Sequence, residues 1–169
     1  MTLEEAIISA LDYEVRVRDH YMRAAGSTTD NKGIDVFGAL GDEEQRHVDY
    51  LENRLKMWRE NGKLNAPAIT TTLPDPKWLR EGKAKMHQLT LNRDYSGEIA
   101  MLKDALKLEE EVSEHYRSLV AGLTGEGQAM FRRFLEIEDG HTAIVQAEID
   151  ALQGDGFWFS LREFDLEAG

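Results

Sequence analysis

Glu44-Gln45-Arg46-His47 recurs as Glu138-Asp139-Gly140-His141, 94 residues later (141 − 47), and each copy has a Phe seven residues before its Glu, Phe37 and Phe131. Three residues of α-helix advance about 4.5 Å and turn about 300°, so Glu and His at this spacing share one helix face and can reach one site together. A single Glu-x-x-His is a weak signal in a Glu-rich chain. The repeat is stronger, because it ties two distant segments to one pattern.

The flanking residues carry the same period. Thr2-Leu-Glu-Glu5 reads as a capping box, and Leu3, Ile7, Ala10, Val17, Tyr21 and Ala24 step by threes and fours along one stripe. Glu14 falls inside that stripe, where a carboxylate is costly to bury unless its charge is compensated. After a turn-rich break, Gly26 to Gly33, a second helix carries Phe37, Leu40, Glu44, His47, Leu51, Leu55 and Trp58 on one face and stops near Asn61-Gly62. A third, starting from Ser96, presents Leu102, Ala105, Glu109, Val112, Tyr116 and Leu119 or Val120. A fourth, after Gly122 to Gly127, presents Phe131, Phe134, Glu138, His141, Val145 and Ile149 and ends around Gly154 to Gly156.

The first and third helices also correspond. Ala10-Leu11, Glu14, Val17 and His20-Tyr21 match Ala105-Leu106, Glu109, Val112 and His115-Tyr116 at an offset of 95 (109 − 14). The two offsets together read as a duplicated helix hairpin. Between the copies, residues 63 to about 95 break the rhythm. All three prolines lie here (Pro67, Pro74, Pro76), with the β-leaning run Ile69 to Thr72, a short possible helix around Trp78 to Leu89, and His87, which reads as surface or packing. Two hairpins that bring all four stripes to one core need such a long crossover. The predicted fold is an all-α four-helix bundle over residues 1–156. The tail, 157–169, with Phe157, Trp158, Phe159 and Phe164, carries too much aromatic surface for water and is expected to pack on the bundle or on a second subunit, a short docking peptide being the alternative.

Composition narrows the chemistry. At 169 residues and 19.2 kDa the chain suits one core. With no Cys there is no disulfide, zinc ribbon, cysteine-ligated iron centre or thiol nucleophile. No Ser-His-Asp spacing supports hydrolysis. A formal charge of −12 and the lack of a basic stripe disfavour nucleic-acid partners. No signal-like N-terminus and no membrane-length apolar run appear, so a cytoplasmic protein is expected.

Four inward carboxylates, Glu14, Glu44, Glu109 and Glu138, and two inward imidazoles, His47 and His141, explain one another's burial if they hold metal. Two divalent cations would offset four carboxylates. Oxygen ligands with one imidazole per metal suit iron or manganese, with zinc or cobalt also admitted.

These residues resemble the ferritin-like di-iron carboxylate proteins and, within them, the rubrerythrin family: one Glu from each of two helices and a Glu-x-x-His from each of the other two. The resemblance spans all four long helices. It implies two iron ions per chain, one on Glu14 and His47 and the other on Glu109 and His141, with Glu44 and Glu138 bridging. It also matches Tyr21 and Tyr116 to the tyrosines that stand behind the ligands of rubrerythrin-like helices, core packing being the plainer reading. Two departures are visible. The cysteine-rich rubredoxin domain is missing, so electrons would come from an external donor, rubredoxin-like or a flavoprotein. Val112 occupies the place of an extra Glu that lets an iron shift ligands, which implies a fixed, symmetric site and argues against efficient peroxide reduction of the rubrerythrin type. Glu110 and Glu111 face elsewhere, and His20 and His115 fall off the metal face, suited to packing or an inter-helix hydrogen bond.

Three functions follow as expectations. The first is a di-iron oxidoreductase, of peroxidase or ferroxidase type, with a role in oxidative stress. The second is a non-catalytic iron-binding or storage-related protein. The third, a structural bundle acting through its aromatic tail, would leave four inward Glu uncompensated. A homodimer or larger homo-oligomer is expected.

Overall fold

The computed structural model describes residues 1–77, 93–159 and 161. Four long helices form in the predicted order: α1 (Leu3–Ser27), α2 (Asn31–Asn61), α3 (Ser96–Gly122) and α4 (Gly125–Gly154), and there is no strand among the described residues. The protein is an all-α four-helix bundle. The expected helix around Trp78 to Leu89, His87 and Phe164 lie outside the described residues.

Helix boundaries follow from capping chemistry. Thr2 Oγ1 accepts from the Glu5 N–H at 3.2 Å while Glu5 Oε2 accepts from the Thr2 N–H at 2.7 Å, which completes the expected capping box. The break between α1 and α2 is shorter than its run of turn residues suggests. α1 continues to Ser27, and only Thr28 to Asp30 separate the helices, because the Asp30 side chain caps α2 by accepting from the Gly33 N–H at 3.0 Å. α2 stops where expected: Gly62 takes φ +67°, a left-handed conformation that glycine adopts without a Cβ clash, and its N–H closes on the Trp58 carbonyl. α3 and α4 are separated by Leu123 and Thr124 alone, so Gly125 to Gly127, read from sequence as turn, belong to the first turn of α4.

These short breaks fold α1 against α2 and α3 against α4 as two hairpins, and α1 also packs on α3. The apolar stripes meet between them. Ile7, Ala10, Val17, Tyr21, Phe37, Leu40, Leu51, Leu102, Ala105, Val112, Tyr116, Phe131, Phe134 and Val145 are all buried, whereas Leu55 and Trp58 at the far end of α2 are only half-buried. Each fully buried Phe or Leu contributes roughly 1.5–3 kcal/mol.

The described part of the crossover runs over α2 and α4. The Tyr50 hydroxyl donates to the Pro67 carbonyl at 2.7 Å, Arg133 Nε donates to the Ile69 carbonyl at 3.2 Å, and the Thr72 N–H donates to Glu43 at 3.3 Å. The β-leaning Ile69 to Thr72 forms no strand, since its neighbours are helices and no described strand offers it a partner. The start of the tail packs on the bundle: Trp158 is 1% exposed, edge-on to Phe37 and Tyr95, and its ring lies against Gly33. Among the described residues, no helix is long and apolar enough to cross a membrane.

Candidate metal centre

Each hairpin helix contributes its polar residues near mid-length, so the short breaks bring all of them to one level. Glu14, Glu44, His47, Glu109 and Glu138 are fully buried and His141 is 1% exposed. The six side chains predicted as ligands come together in two overlapping groups, Glu14–Glu44–His47–Glu138 and Glu44–Glu109–Glu138–His141.

The two imidazoles aim Nδ1 at this cluster. His47 Nδ1 lies 3.2 Å from Glu14 Oε2, 3.2 Å from Glu44 Oε2 and 3.1 Å from Glu138 Oε1. His141 Nδ1 lies 2.8 Å from Glu44 Oε1, 3.4 Å from Glu138 Oε2 and 4.0 Å from Glu109 Oε2. Glu44 and Glu138 therefore turn one oxygen to each histidine, whereas Glu14 and Glu109 each serve one. The rings are nearly parallel, 8° apart with centroids 5.3 Å apart.

Behind the outer carboxylates stand the two tyrosines, and they cross over. Tyr21 of α1 donates its O–H to Glu109 of α3, and Tyr116 of α3 donates to Glu14 of α1. Burial, then the charge of the carboxylate each one meets, holds both phenols well above their ordinary range, so they remain donors. His20 and His115 lie off the cluster, as expected. His20 Nε2 is 2.9 Å from the Met101 carbonyl, and His115 Nε2 is 3.0 Å from Ser9 Oγ, which itself donates to the Ala6 carbonyl. Ala6 and Met101 are equivalent at the 95-residue offset, so the duplication extends to these inter-helix ties. Glu110 is exposed, Glu111 pairs at the surface with Arg16, and Val112 is buried with no carboxylate in its place.

The chemistry of the donor set fits divalent cations. Both oxygens of Glu44 and of Glu138, Glu109 Oε2 and His141 Nδ1 are buried without a hydrogen-bond donor or acceptor aligned on them. Leaving buried polar atoms in that condition costs about 1–3 kcal/mol each, so the cluster is incomplete as protein alone. Without metal, protons balance the charge. Burial, and then the charge of Glu138, pushes the Glu14 carboxyl well up; burial, and then the charge of Glu44, does the same for Glu109. Burial also works against ionising Glu44 and Glu138, but the facing imidazoles outweigh it, His47 and His141 for Glu44 and His141 for Glu138, and both stay low. Burial likewise opposes charging the imidazoles, yet Glu44 and Glu14 around His47, and Glu138 and Glu44 around His141, raise both well above their ordinary value.

Four buried charged side chains escaped the sequence reading. Glu43 sits beside His47 under the crossover. Arg54 donates to the carbonyls of Leu64 and Asn65, Glu148 accepts from the Phe159 N–H at 2.9 Å, and Glu98 accepts from Thr28 Oγ1 at 2.7 Å. Arg54 and Glu148 were findable: each lies seven residues after a histidine of the cluster, on the same helix face.

An open pocket of about 330 Å³, lined by residues including Tyr50, Pro67, Ile69, Met130 and Arg133, lies outside the cluster. Phe134 links the two, edge-on to both Tyr50 and His47.

Fold and site define a four-helix bundle with a buried Glu/His cluster able to hold metal. No protein-family model matches the sequence, and no curated protein matches it. A solved structure of a hypothetical protein from Pyrococcus furiosus is similar over 94% of this chain and 94% of its own, with a TM-score of 0.63 and 19% identity. That likeness shows a shared fold.

Proposed function

We propose that this chain is a rubrerythrin-like di-iron protein of the ferritin-like superfamily, an oxidoreductase that reduces peroxide or O2 and is re-reduced by an external donor. The observation that carries the reading is the pair of four-residue groups sharing Glu44 and Glu138. Two carboxylates common to two imidazole-capped groups suit two adjacent cations better than one. A bound ferrous pair supplies two electrons, enough with two protons to take hydrogen peroxide to two waters.

The chain's own residues do the rest. Glu14 and His47 would hold one ion, Glu109 and His141 the other, and Glu44 and Glu138 would lie between them. Tyr21 and Tyr116 fix the outer carboxylates by their O–H bonds, and the apolar layers of Phe37, Leu40, Phe131 and Phe134 keep bulk water out. The absence of Cys means that no rubredoxin-type centre lies in this chain, which is why the donor is placed outside it.

Val112 favours a second reading, a non-catalytic iron-binding or storage-related protein, because the ligand that would let an iron shift is missing. Anaerobic Fe(II) titration of metal-free protein, followed by peroxide or O2, separates the two. Uptake of two irons per chain with rapid growth of near-ultraviolet oxo-bridged absorbance on adding peroxide supports the peroxidase, and faster growth with O2 supports ferroxidase work. Uptake with no oxidation in step favours the storage reading. Failure to take up iron, manganese or zinc overturns the di-metal site.

A further inference from the structure

Glu43 is fully buried beside His47 Nε2, whereas the cluster carboxylates meet His47 at Nδ1. One of its oxygens is occupied: Glu43 Oε2 accepts from the Thr72 N–H at 3.3 Å and from Thr72 Oγ1 at 3.0 Å, and it contacts the Arg46 guanidinium. The other oxygen, Oε1, has no hydrogen-bond partner. Neither does His47 Nε2, and these two buried atoms face each other at 3.9 Å.

A metal on His47 Nδ1 fixes the proton of the ring on Nε2, and that N–H needs an acceptor. Glu43 Oε1, itself without a partner, is a carboxylate oxygen 3.9 Å from that nitrogen. The other half of the duplication lacks this device. At the 94-residue offset Glu43 becomes Ile137, and His141 Nε2 is likewise buried without a partner. Glu43 also comes within 4.8 Å of a His141 ring nitrogen, but His47 is the closer.

We infer that Glu43, clamped by Thr72 of the crossover, is a positioning residue for His47, so that the two metal positions are unequal and the one on His47 and Glu14 is the tighter. The inference rests on the proposed two-metal reading. A carboxylate behind a ligating imidazole holds the ring in one tautomer and orientation and makes it a better donor, and losing such a partner typically lowers metal affinity about 10–100-fold. The six inner residues recur in both halves, and the carboxylate beside the imidazole occurs in one half alone.

The test is Zn(II) titration of metal-free protein by calorimetry, together with nitrogen-15 NMR of the histidine rings, on the wild type, Glu43→Gln and Thr72→Ala. Gln keeps the shape and an acceptor oxygen but loses the charge, and unchanged helical circular dichroism checks that the variants fold. The wild type is expected to bind two Zn(II) in two resolved steps. Glu43→Gln should weaken the tighter step by about tenfold or more, leave the other within about twofold, and shift one Nε2–H resonance, that of His47. Thr72→Ala should act in the same direction more weakly. Unchanged affinities, equal weakening of both steps, or movement of the His141 resonance alone would overturn the inference while leaving a two-zinc site intact. A wild type that binds no Zn(II) would overturn it together with the two-metal reading.

Discussion

At Glu44 and Glu138 a carboxylate is fully buried with no hydrogen bond aligned on either oxygen, and each faces both imidazoles. Oxygens so placed are available to a cation. Glu44→Ala or Glu138→Ala should therefore abolish or cripple metal uptake, whereas Glu110→Ala, on the exposed face of α3, should leave it unchanged; elemental analysis after loading gives the answer. Equal metal content in all three variants would contradict the assignment. The protons that the cluster holds give a second expectation. His47 and His141 hold theirs because of the carboxylates around them, and Glu14 and Glu109 hold theirs because they are buried beside other carboxylates. Metal must displace these protons, so apparent affinity should rise with pH and loading should release protons. Chelator competition at several pH values, with proton release followed by an indicator dye, measures both; affinity that does not change with pH would mean that the metal binds elsewhere.

Elements are held together by residues that lie one step beyond the cluster. Arg54 on α2 and Glu148 on α4 occupy equivalent positions of the duplication, 94 residues apart (148 − 54), and each grips the chain that leaves its hairpin: Arg54 the start of the crossover, Glu148 the start of the tail. The charge was free to differ because one meets carbonyls and the other an N–H. Burial pushes the Glu148 carboxyl up to about 8, against a bond from the Phe159 N–H that lowers it. The native state thus keeps a proton that the unfolded chain has released by about pH 5, so this residue lowers stability progressively as pH rises from near 4.5 to about 8. Glu148→Gln should remove that dependence. In thermal unfolding of metal-free protein, the variant's advantage over wild type should grow across this window and level off above it; a pH-independent difference would contradict a buried, protonated carboxyl.

For the whole molecule, the start of the tail packs against the bundle. Trp158 fills the space beside Gly33, Phe37 and Tyr95, so Trp158→Ala should destabilise the fold by about 3–5 kcal/mol, read from denaturant unfolding. A loss below about 1 kcal/mol would mean that this packing is absent in solution. The sequence by itself determined the four helices, their apolar stripes and the six polar residues that interrupt them, because a helix face repeats every three or four residues and a duplicated hairpin states the pattern twice. It also determined that Glu14 and Glu109 belong with the two Glu-x-x-His copies, since all six fall on inward stripes. Only the tertiary structure decided that Glu43, Arg54, Glu98 and Glu148 are buried, that the tyrosines exchange partners between α1 and α3, and that a Glu43 oxygen comes to lie beside His47 Nε2. The physical reason is the covering layer. Periodicity reports the face a helix turns toward other helices, but the described parts of the crossover and the tail are irregular, and what they bury depends on where the chain lies rather than on any repeat it carries.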